Sequence, residues 1–217
     1  MLTNFDIRKV SRNIAKPFIE KYHYTKSIGK VSVAYGLFDT NKTEKIGFLD
    51  ECKLVGIITY GQVSSRDLAQ SIFEGGNQYN TLEFLRMAVL DDCNCPRSLF
   101  ISKTVKMLRN YFPGIKCLVS FADQTEGHFG YVYQASNWIY CGVTSKKYHY
   151  LLNGKRINKR MVFDKAKSLK MTEKEYVEKF SYIKKPELPK FRYIYLLDKD
   201  IRLKLEILPY PKRGSLC

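Results

Sequence analysis

The stretch from Lys116 to Gly142 constrains what this chain can fold into more than any other part of the sequence. An apolar run at Lys116–Ala122 predicts a short buried strand, and Phe129–Ala135 predicts a helix of about two turns. Trp138–Tyr140 predicts a further strand. An acidic residue, Asp123, directly follows the first strand, and open α/β sheets bind ligands at the carboxyl ends of their strands. We therefore expect chemistry at this point of the chain.

Titratable side chains and glycines share the segment between that strand and that helix. With Glu126 three residues on, Asp123 is suited to capping the helix, and its second carboxylate oxygen would then face a cleft as a catalytic group. His128 falls in the first turn of the predicted helix, whose positive end disfavours a charged imidazolium. A neutral imidazole is a competent base or metal ligand, whereas the plainer interpretation of a lone histidine is a structural one.

The formal net charge of +16 predicts a polyanionic partner, although a merely soluble basic face would look similar. Residues 143–217 hold 20 Lys and Arg against 8 Asp and Glu, whereas residues 1–142 hold 17 against 13. In the basic part, Lys and Arg are interleaved with Tyr, which suits phosphate contacts and base stacking. The side chains that we expect to contact nucleic acid are Lys146, Lys147, Lys155, Arg156, Lys159 and Arg160.

The six cysteines form no CxxC pair and no Cys/His spacing typical of zinc sites, which argues against a structural zinc. Cys117 and Cys141 lie in apolar runs and are predicted to be small buried hydrophobic residues. We expect no signal peptide, and no apolar run approaches the ~20 residues that span a bilayer. The composition thus predicts a protein of the reducing cytoplasm, with no membrane partner.

The remaining pattern predicts an α/β chain in which the basic part extends the same sheet. The predicted elements are a strand at Phe5–Val10, a helix from an Asn13 cap to Tyr22, strands at Val31–Phe38 and Lys53–Tyr60 joined through Asn41–Cys52, a helix at Arg66–Phe73, a strand at Thr81–Leu90, a helix from Pro96 or Ser98 to Tyr111, a hairpin turning at Asn153-Gly154, a helix opened by a Thr172–Glu175 capping box, and a strand at Phe191–Leu197.

Two charged residues, Glu83 and Arg86, interrupt the apolar strand predicted at Thr81–Leu90. Charged side chains in a buried strand need partners. Their opposite parity would place them on opposite faces of a regular strand, so we expect each to have a separate partner rather than to pair with the other. Two solvent-exposed charges at a strand edge are the alternative.

A histidine flanked by two tyrosines, Tyr22-His23-Tyr24, ends the first predicted helix. Such a group can stack on a base or bind a metal. A rim of core aromatic residues beside a solvent-exposed histidine is the structural alternative.

Several short motifs point to a known family. They are Ala122-Asp123, Gly127-His128, Gly130, Tyr133-Gln134-Ala135 and Asn137-Trp138, together with His23-Tyr24 and Glu83-Phe-Leu-Arg86. They resemble the signature of the phage Mom family of DNA adenine-modification proteins, and the resemblance covers about residues 20–145. It implies a mixed, twisted sheet similar to the GCN5-related N-acetyltransferase fold. We expect residues 1–145 to form the catalytic core and residues 146–217 a basic, DNA-contacting extension of the same domain.

The resemblance implies a phage-encoded transferase that attaches a carbamoylmethyl-type group to adenine N6 in duplex DNA and so protects phage DNA from host restriction. The adenine would be flipped out of the duplex, with Tyr22, Tyr24 or Trp138 holding it. Two other functions fit the pattern. One is an acyl-CoA-dependent N-acetyltransferase acting on a protein or small amine, and the other is a non-catalytic DNA-binding protein.

The same resemblance implies roles for individual residues. Asp123 would accept a proton from the amine, Arg86 would hold a phosphate or an anionic donor, and Tyr133 would donate a proton to the leaving group. Tyr131 is an internal alternative to Tyr133, because it points about 200° away on the same helix. The remaining catalytic candidates are His23, Tyr24 and Glu83.

The donor and cofactor are less constrained. In an acetyltransferase-like fold, Ser98 and Ser102 would lie at the helix start that binds a CoA pyrophosphate, although no Gly occurs between residues 77 and 113. The donor is CoA-derived or another small metabolite. Because acyl transfer yields an amide and not a group attached through CH₂, a redox-active metal such as iron, held by His23, Asp123 and His128, is a further possibility.

Overall fold

The computed structural model describes residues 4–46 and 49–212 of the chain. Helices and strands alternate along much of it. In chain order they are β1 Phe5–Val10, α1 Arg12–Tyr22, β2 Val31–Ile46, β3 Leu49–Gln62, α2 Arg66–Ile72, β4 Thr81–Val89, α3 Arg97–Tyr111, β5 Cys117–Asp123, α4 Tyr131–Gln134, β6 Ile139–Val143, β7 Lys147–Leu152, β8 Lys155–Ile157, α5 Lys159–Ser168, α6 Glu173–Lys179, β9 Ile183–Glu187 and β10 Lys190–Leu196, with a 3₁₀ turn at Gln124–Glu126.

The main sheet has seven strands in the order β1-β2-β3-β4-β5-β10-β6. Its first four strands are antiparallel neighbours, and β4 and β5 are parallel, which confirms the predicted mixed α/β sheet. Strands β8, β7 and β9 form a separate three-stranded antiparallel sheet. No helix among the described residues is both long and apolar enough to cross a bilayer.

The chain divides into two compact units. The first unit comprises the described parts of residues 1–121, 130–142 and 192–217, and the second comprises residues 122–129 and 143–191. The chain therefore passes between the units several times, whereas the sequence-based division places a single boundary at residue 145.

Among the described residues of the first unit, apolar side chains build one cluster under α1 and another under α2. The α1 cluster comprises Ala15, Phe18, Ile19, Ile28, Ala34, Ile57 and Ala88. The α2 cluster comprises Val63, Ala69, Ile72, Phe73, Cys117, Val119, Cys141 and Ile194. The predicted burial of both Cys117 and Cys141 is thereby confirmed.

The second unit has a core of its own, in which α5 and α6 cover the three-stranded sheet. This core comprises Tyr150, Val162, Ala166, Tyr176 and Tyr182. The predicted capping box is confirmed, because the Thr172 hydroxyl accepts from the Glu175 backbone N–H while Glu175 accepts from Thr172. The predicted turn at Asn153-Gly154 is also confirmed, and both residues take positive φ there, as a tight hairpin turn requires.

In the segment that joins the second and third predicted strands, β2 and β3 continue as one ladder in which Thr43 pairs with Cys52; residues 47 and 48 lie outside the described residues. Two local predictions are wrong. Ser11, not Asn13, precedes α1 as its N-cap. The helix predicted at Phe129–Ala135 shrinks to Tyr131–Gln134, because Gly130 takes the left-handed conformation directly before it.

The sequence predicted that the basic part extends the main sheet, and this prediction is wrong. Its first half forms the three-stranded sheet of the second unit, and β10 then joins the main sheet between β5 and β6. The burial pattern gives the reason. Phe191, Tyr193 and Ile194 are all fully buried, so β10 is apolar on both faces and suits an interior strand.

Candidate active site

The candidate site in the first unit lies where β4 and β5 part. The two strands pair only from Thr81–Glu83 to Cys117–Val119 among the described residues, although β4 continues to Val89 and β5 to Asp123. After the last backbone pair of the two strands, Glu83 with Val119, a side-chain hydrogen bond joins them. Ser120 Oγ donates to the carbonyl oxygen of Phe84, 3.2 Å away.

Ser120 also contacts the tyrosine that the sequence singles out. Its Oγ lies 2.7 Å from the hydroxyl of Tyr133. Burial raises the pKa of this hydroxyl well above its usual value, the hydrogen bond to Ser120 lowers it in part, and the charges of Tyr24 and Glu83 raise it further. Three predicted catalytic residues, Tyr24, Glu83 and Tyr133, therefore interact electrostatically in the first unit.

Aromatic rings surround Tyr133. Its ring meets Phe84 edge-on at 5.5 Å between centroids and lies 5.2 Å from both Trp138 and Tyr193. Trp138 is 0% exposed, so its predicted role as a platform for a flipped base is wrong. Tyr131 is 53% exposed, which shows that the two tyrosines of α4 do point in different directions, as the helix geometry predicts.

Several signature residues have structural contacts that explain them. An added Cβ on Gly130, whose φ is +77°, would lie 2.3 Å from the Tyr193 ring. Gln134 donates to the Tyr193 hydroxyl at 3.0 Å, and Tyr210 donates to the backbone oxygen of Trp138 at 2.8 Å. These contacts hold β10 and the segment that follows it against α4.

Glu83 and Arg86 share a face of β4, so the prediction of opposite faces is wrong. Glu83 pairs with Gly61 and Arg86 with Thr59, two positions of equal parity on β3. The cause is a bulge, since the register shifts between Thr59 and Tyr60 and leaves Leu85 as the extra residue on β4. A parity argument counts residues along a regular strand, and one bulge reverses its outcome.

Arg86 fastens the segment after α1 to β4. Its Nε donates to the Ser27 carbonyl at 3.0 Å and its Nη1 donates to the Leu85 carbonyl at 2.6 Å. The guanidinium thus joins the bulge to the segment that carries His23 and Tyr24. Its expected contact with an anionic donor stays a prediction.

His23 follows the last residue of α1 and is stacked on Tyr24, with 4.4 Å between the ring centroids. The Thr25 backbone N–H donates to His23 Nδ1 at 3.2 Å, and Thr25 Oγ1 lies 2.9 Å from the same nitrogen. An Nδ1 that accepts from a backbone N–H carries no proton, so the neutral ring is the Nε2–H tautomer. Tyr24 is 45% exposed.

The predicted cofactor residues lie in the first turns of α3. The N-cap is Pro96, not Ser98, and no side chain caps the helix. The Pro96 carbonyl accepts from Leu99 and Phe100, so Arg97 and Ser98 carry the backbone N–H groups that an α-helix leaves for other acceptors. Ser102 donates its hydroxyl to the Ser98 carbonyl at 2.8 Å, which uses its proton within the helix.

Asp123 belongs to the second unit and is only 8% exposed. Its Oδ1 accepts from the Thr125 N–H at 3.1 Å and so caps the 3₁₀ turn, in line with the predicted capping role. Its Oδ2, which was predicted to face a cleft, instead accepts a hydrogen bond from Lys190 Nζ at 2.5 Å. Burial raises the pKa of Asp123, but the Lys190 ammonium and the Thr125 N–H outweigh it and hold the pKa below its usual value.

Lys190 is the site residue that sequence reasoning missed. Its backbone is fixed on both sides by Thr144, whose N–H donates to the Lys190 carbonyl at 2.9 Å and whose hydroxyl accepts from the Lys190 N–H at 3.0 Å. Lys190 and Asp123 are 67 positions apart in the chain, and one lysine among many gives no local sequence signal for such a pair.

The predicted metal ligands do not fit a metal. No group of three or more His, Cys, Asp or Glu side chains that could hold one occurs in residues 4–46 and 49–212. His23 Nδ1 is occupied by Thr25, and the Asp123 carboxylate by Lys190 and Thr125. His128 lies before α4, not within its first turn, so the helix-end argument for a neutral His128 is wrong.

The six predicted DNA contacts are all exposed residues of the second unit, although several already have intramolecular partners. Lys159 Nζ lies 4.5 Å over the Tyr148 ring, and Arg160 lies 3.8 Å from Asp164. Arg156 hydrogen-bonds to Glu187. Lys184 Nζ also lies over the Tyr148 ring, 3.9 Å from its centroid, and this basic residue was not among the predicted DNA contacts.

Comparison with known proteins points in one direction. The profile of the Mom protein family matches residues 4–212 of this chain. The protein named methylcarbamoylase mom, from Escherichia phage Mu, is 27% identical over 225 aligned positions, which cover 95% of this chain and 83% of that protein.

Solved structures agree on the fold. Arabidopsis thaliana NAA60 in complex with acetyl-CoA has a TM-score of 0.51 at 10% identity, covering 88% of this chain and 98% of its own. A chimera of the spermidine N-acetyltransferase SpeG from Vibrio cholerae and hSSAT has a TM-score of 0.51 at 9% identity, covering 91% and 98%. The predicted acetyltransferase-like fold is therefore confirmed.

Proposed function

We propose that this chain, which belongs to the Mom protein family, is a transferase that attaches a carbamoylmethyl-type group to adenine N6 in duplex DNA. One observation carries the proposal. The family profile extends over residues 4–212, and a phage protein named as a methylcarbamoylase aligns with nearly the whole chain. The modified phage DNA would resist restriction in the cytoplasm of the host cell.

The reaction asks two things of the protein. The exocyclic amine of adenine is a weak nucleophile, because its lone pair is delocalised into the ring, so its proton must be accepted as the new bond forms. The amine is also stacked and paired in the duplex, so we expect the base to be flipped out. The exposed aromatic residues Tyr22 and Tyr24 suit stacking against it.

Within the first unit, Tyr133 is suited to proton donation. Its raised pKa keeps the hydroxyl protonated at neutral pH, so that it is available to a leaving group that departs as an anion. In the second unit, Asp123 is the proposed proton acceptor. Its lowered pKa keeps it ionised at neutral pH but makes it a weak base, so it would accept the proton only as the amine becomes acidic during bond formation. Lys190 must release the carboxylate, or share it, before the amine reaches it.

The group donor is proposed to be CoA-derived or a related small metabolite. The N–H groups at the start of α3 suit a phosphate, as helix N-termini do in general. Arabidopsis thaliana NAA60 carries acetyl-CoA in its structure, which supports this class of donor for a chain of the same fold. The six basic residues of the second unit that were predicted to contact nucleic acid would bind the phosphates of duplex DNA.

The test is mass spectrometry of nucleosides from DNA of cells that express the protein. We expect a heavier deoxyadenosine species with the wild-type chain and none with Asp123→Ala. Glu126→Gln is the matched control, because it removes a carboxylate three residues away that is exposed, and it should leave the modification intact.

The mass increment discriminates between the candidate reactions. An acetyl increment would replace carbamoylmethyl transfer with simple acyl transfer. Unmodified adenine from well-expressed protein, in cells that also supply the phage's other proteins, would overturn the proposal. Salt-sensitive DNA binding that survives Asp123→Ala would then favour a non-catalytic DNA-binding protein.

A further inference from the structure

We propose that Ser120 is a positioning residue for Tyr133, whose hydroxyl it holds ready for proton transfer and stabilises after that transfer. This inference rests on the proposed function and adds to it a residue that no motif of the sequence singles out. Its observations all lie in the first unit, at the point where β4 and β5 part.

The number of protons on Ser120 and Tyr133 limits how these two hydroxyls can hydrogen-bond. Ser120 Oγ lies 3.2 Å from the Phe84 carbonyl oxygen and 2.7 Å from the Tyr133 hydroxyl oxygen. A serine hydroxyl has one proton, and a carbonyl can only accept. Ser120 is the donor in both contacts, so its one proton is shared between the Phe84 carbonyl and the Tyr133 oxygen, which is the nearer acceptor. The Tyr133 oxygen accepts in this contact, so its own phenolic proton is directed away from Ser120 and can pass to a leaving group.

The site is rigid for a reason that the backbone supplies. Phe84 follows the last residue of β4 that pairs with β5, so the ladder no longer satisfies its carbonyl on that side, and Ser120 does so instead. Ser120 is 1% exposed, and the ring of Tyr133 is confined by Phe84, Trp138 and Tyr193. Ser120 Oγ therefore cannot turn to bulk water, and its partners remain the Phe84 carbonyl and the Tyr133 hydroxyl.

The hydroxyl of Ser120 can serve two states of Tyr133. As the bond from adenine N6 to the transferred carbon forms, the bond from that carbon to the leaving group breaks. The leaving group departs with the electron pair and takes the phenolic proton. Ser120 then turns its shared proton from the Phe84 carbonyl to the phenolate. The phenolate regains a proton from solvent, which balances the proton lost by N6.

A double-mutant cycle tests this role. Tyr133→Phe should lower the rate of adenine modification about 100-fold or more, and Ser120→Ala roughly 10- to 100-fold, with the loss in kcat and not in KM. Because Ser120 acts through Tyr133, adding Ser120→Ala to Tyr133→Phe should cause no further loss. Ser120→Thr, which keeps the hydroxyl, should recover much of the rate.

Ser136→Ala is the matched control. Ser136 is also a buried serine, but its hydroxyl lies 2.7 Å from the Val132 carbonyl and 3.4 Å from the Ser98 carbonyl and makes no hydrogen bond to Tyr133. The variant should cost stability to a similar degree and leave the kcat for adenine modification close to that of the wild type. Thermal unfolding of each variant confirms that losses of rate are measured on folded protein.

A spectroscopic measurement separates this inference from the proposed function. With ¹³C at the ring carbon that bears the hydroxyl, the Tyr133 resonance is the one that Tyr133→Phe removes from the 16 tyrosines. Ser120→Ala should shift that resonance, and Ser136→Ala should not. If wild-type protein modifies no adenine, the proposed function fails, and the resonance alone still decides whether Ser120 holds the tyrosine. An unshifted resonance, or equal losses from Ser120→Ala in both backgrounds, would overturn the inference.

Discussion

The two compact units stabilise their sheets with different side chains. In the first unit, apolar clusters lie under α1 and α2, and a wall of aromatic rings surrounds Tyr133. In the second unit, three of the five core residues are tyrosines, and Tyr148 and Tyr150 both donate to the same carboxylate oxygen of Glu173, at 3.0 and 2.8 Å. Three basic side chains add further contacts. Lys159 and Lys184 lie over the Tyr148 ring, and Arg156 pairs with the Glu187 carboxylate.

The two cores should respond to different kinds of substitution. A core of apolar side chains depends on shape, so the first unit should be most sensitive to added volume. A small core built from tyrosines, a carboxylate and helix caps depends on hydrogen bonds, so the second unit should be most sensitive to the loss of single polar groups. The predictions that follow compare matched substitutions in the two units.

The largest effect should come from Gly130→Ala in the first unit. The left-handed backbone at φ +77° costs about 1–2 kcal/mol for a residue with a Cβ, and overlap with the Tyr193 ring adds roughly 1–3 kcal/mol. Gly127→Ala in the second unit is the matched control, because its φ is +70° but nothing lies within 4 Å of the new Cβ. It should cost only this backbone contribution of about 1–2 kcal/mol.

Urea unfolding, followed by hydrogen exchange of peptides from each unit, measures both costs separately. Equal losses for the two variants would mean that backbone conformation alone decides the cost. The first unit would then owe less to close packing than we infer.

Sequence reasoning succeeded where short-range patterns decide the structure. The strand at Phe5–Val10, the Thr172 capping box and the Asn153-Gly154 turn are each set by residues within a few positions of one another. The family motifs also predicted the acetyltransferase-like fold correctly, although Gly130 and Gln134 in those motifs turn out to contact Tyr193 and hold β10.

Prediction failed where distant parts of the chain meet or a strand is irregular. The bulge at Leu85 reversed the facing of Arg86 relative to Glu83, and nothing in a one-dimensional alternation indicates a bulge. Lys190 and Ser120 were missed because their partners are Asp123, 67 positions away, and Tyr133 together with a backbone carbonyl. Such pairs are defined by strand order, which the sequence pattern left open.

A smaller effect should come from removing one buried tyrosine hydroxyl in each unit. Tyr150→Phe in the second unit takes a hydrogen bond from a carboxylate and should cost about 2 kcal/mol. Tyr60→Phe in the first unit removes a 2.8 Å bond to the neutral Thr104 hydroxyl, which keeps its bond to the Ile101 carbonyl. That change should cost about 1 kcal/mol.

Hydrogen exchange of peptides from each unit gives the local cost of each variant. A larger loss for Tyr60→Phe than for Tyr150→Phe would contradict the view that polar contacts matter more in the second unit. The Tyr148→Phe variant provides an internal check, because Glu173 then retains Tyr150 and the loss should lie between the other two.

The smallest effect should come from the helix caps. Thr172→Ala removes the hydroxyl that accepts from Glu175 N–H at 3.2 Å and should destabilise α6 by about 1 kcal/mol. Ser11→Ala is the matched control, because the Ser11 side chain makes no capping hydrogen bond to α1, and it should cost at most a few tenths of that. Hydrogen exchange of the amides in residues 173–182 and 12–22 measures the local stability of α6 and α1 separately.

The cap also predicts a dependence on pH. The backbone N–H and hydroxyl of Thr172 hold the pKa of Glu175 below its usual value, so the carboxylate stabilises the folded state above the unfolded pKa, which is about 4.3. That stabilisation is lost as the pH falls through the lower, folded pKa. Glu175→Gln should therefore weaken protection of α6 at pH 7 and match the wild type more closely once the pH is below the folded pKa of Glu175. A difference between the two that stays constant across this range would show that the cap holds the helix by shape and not by charge.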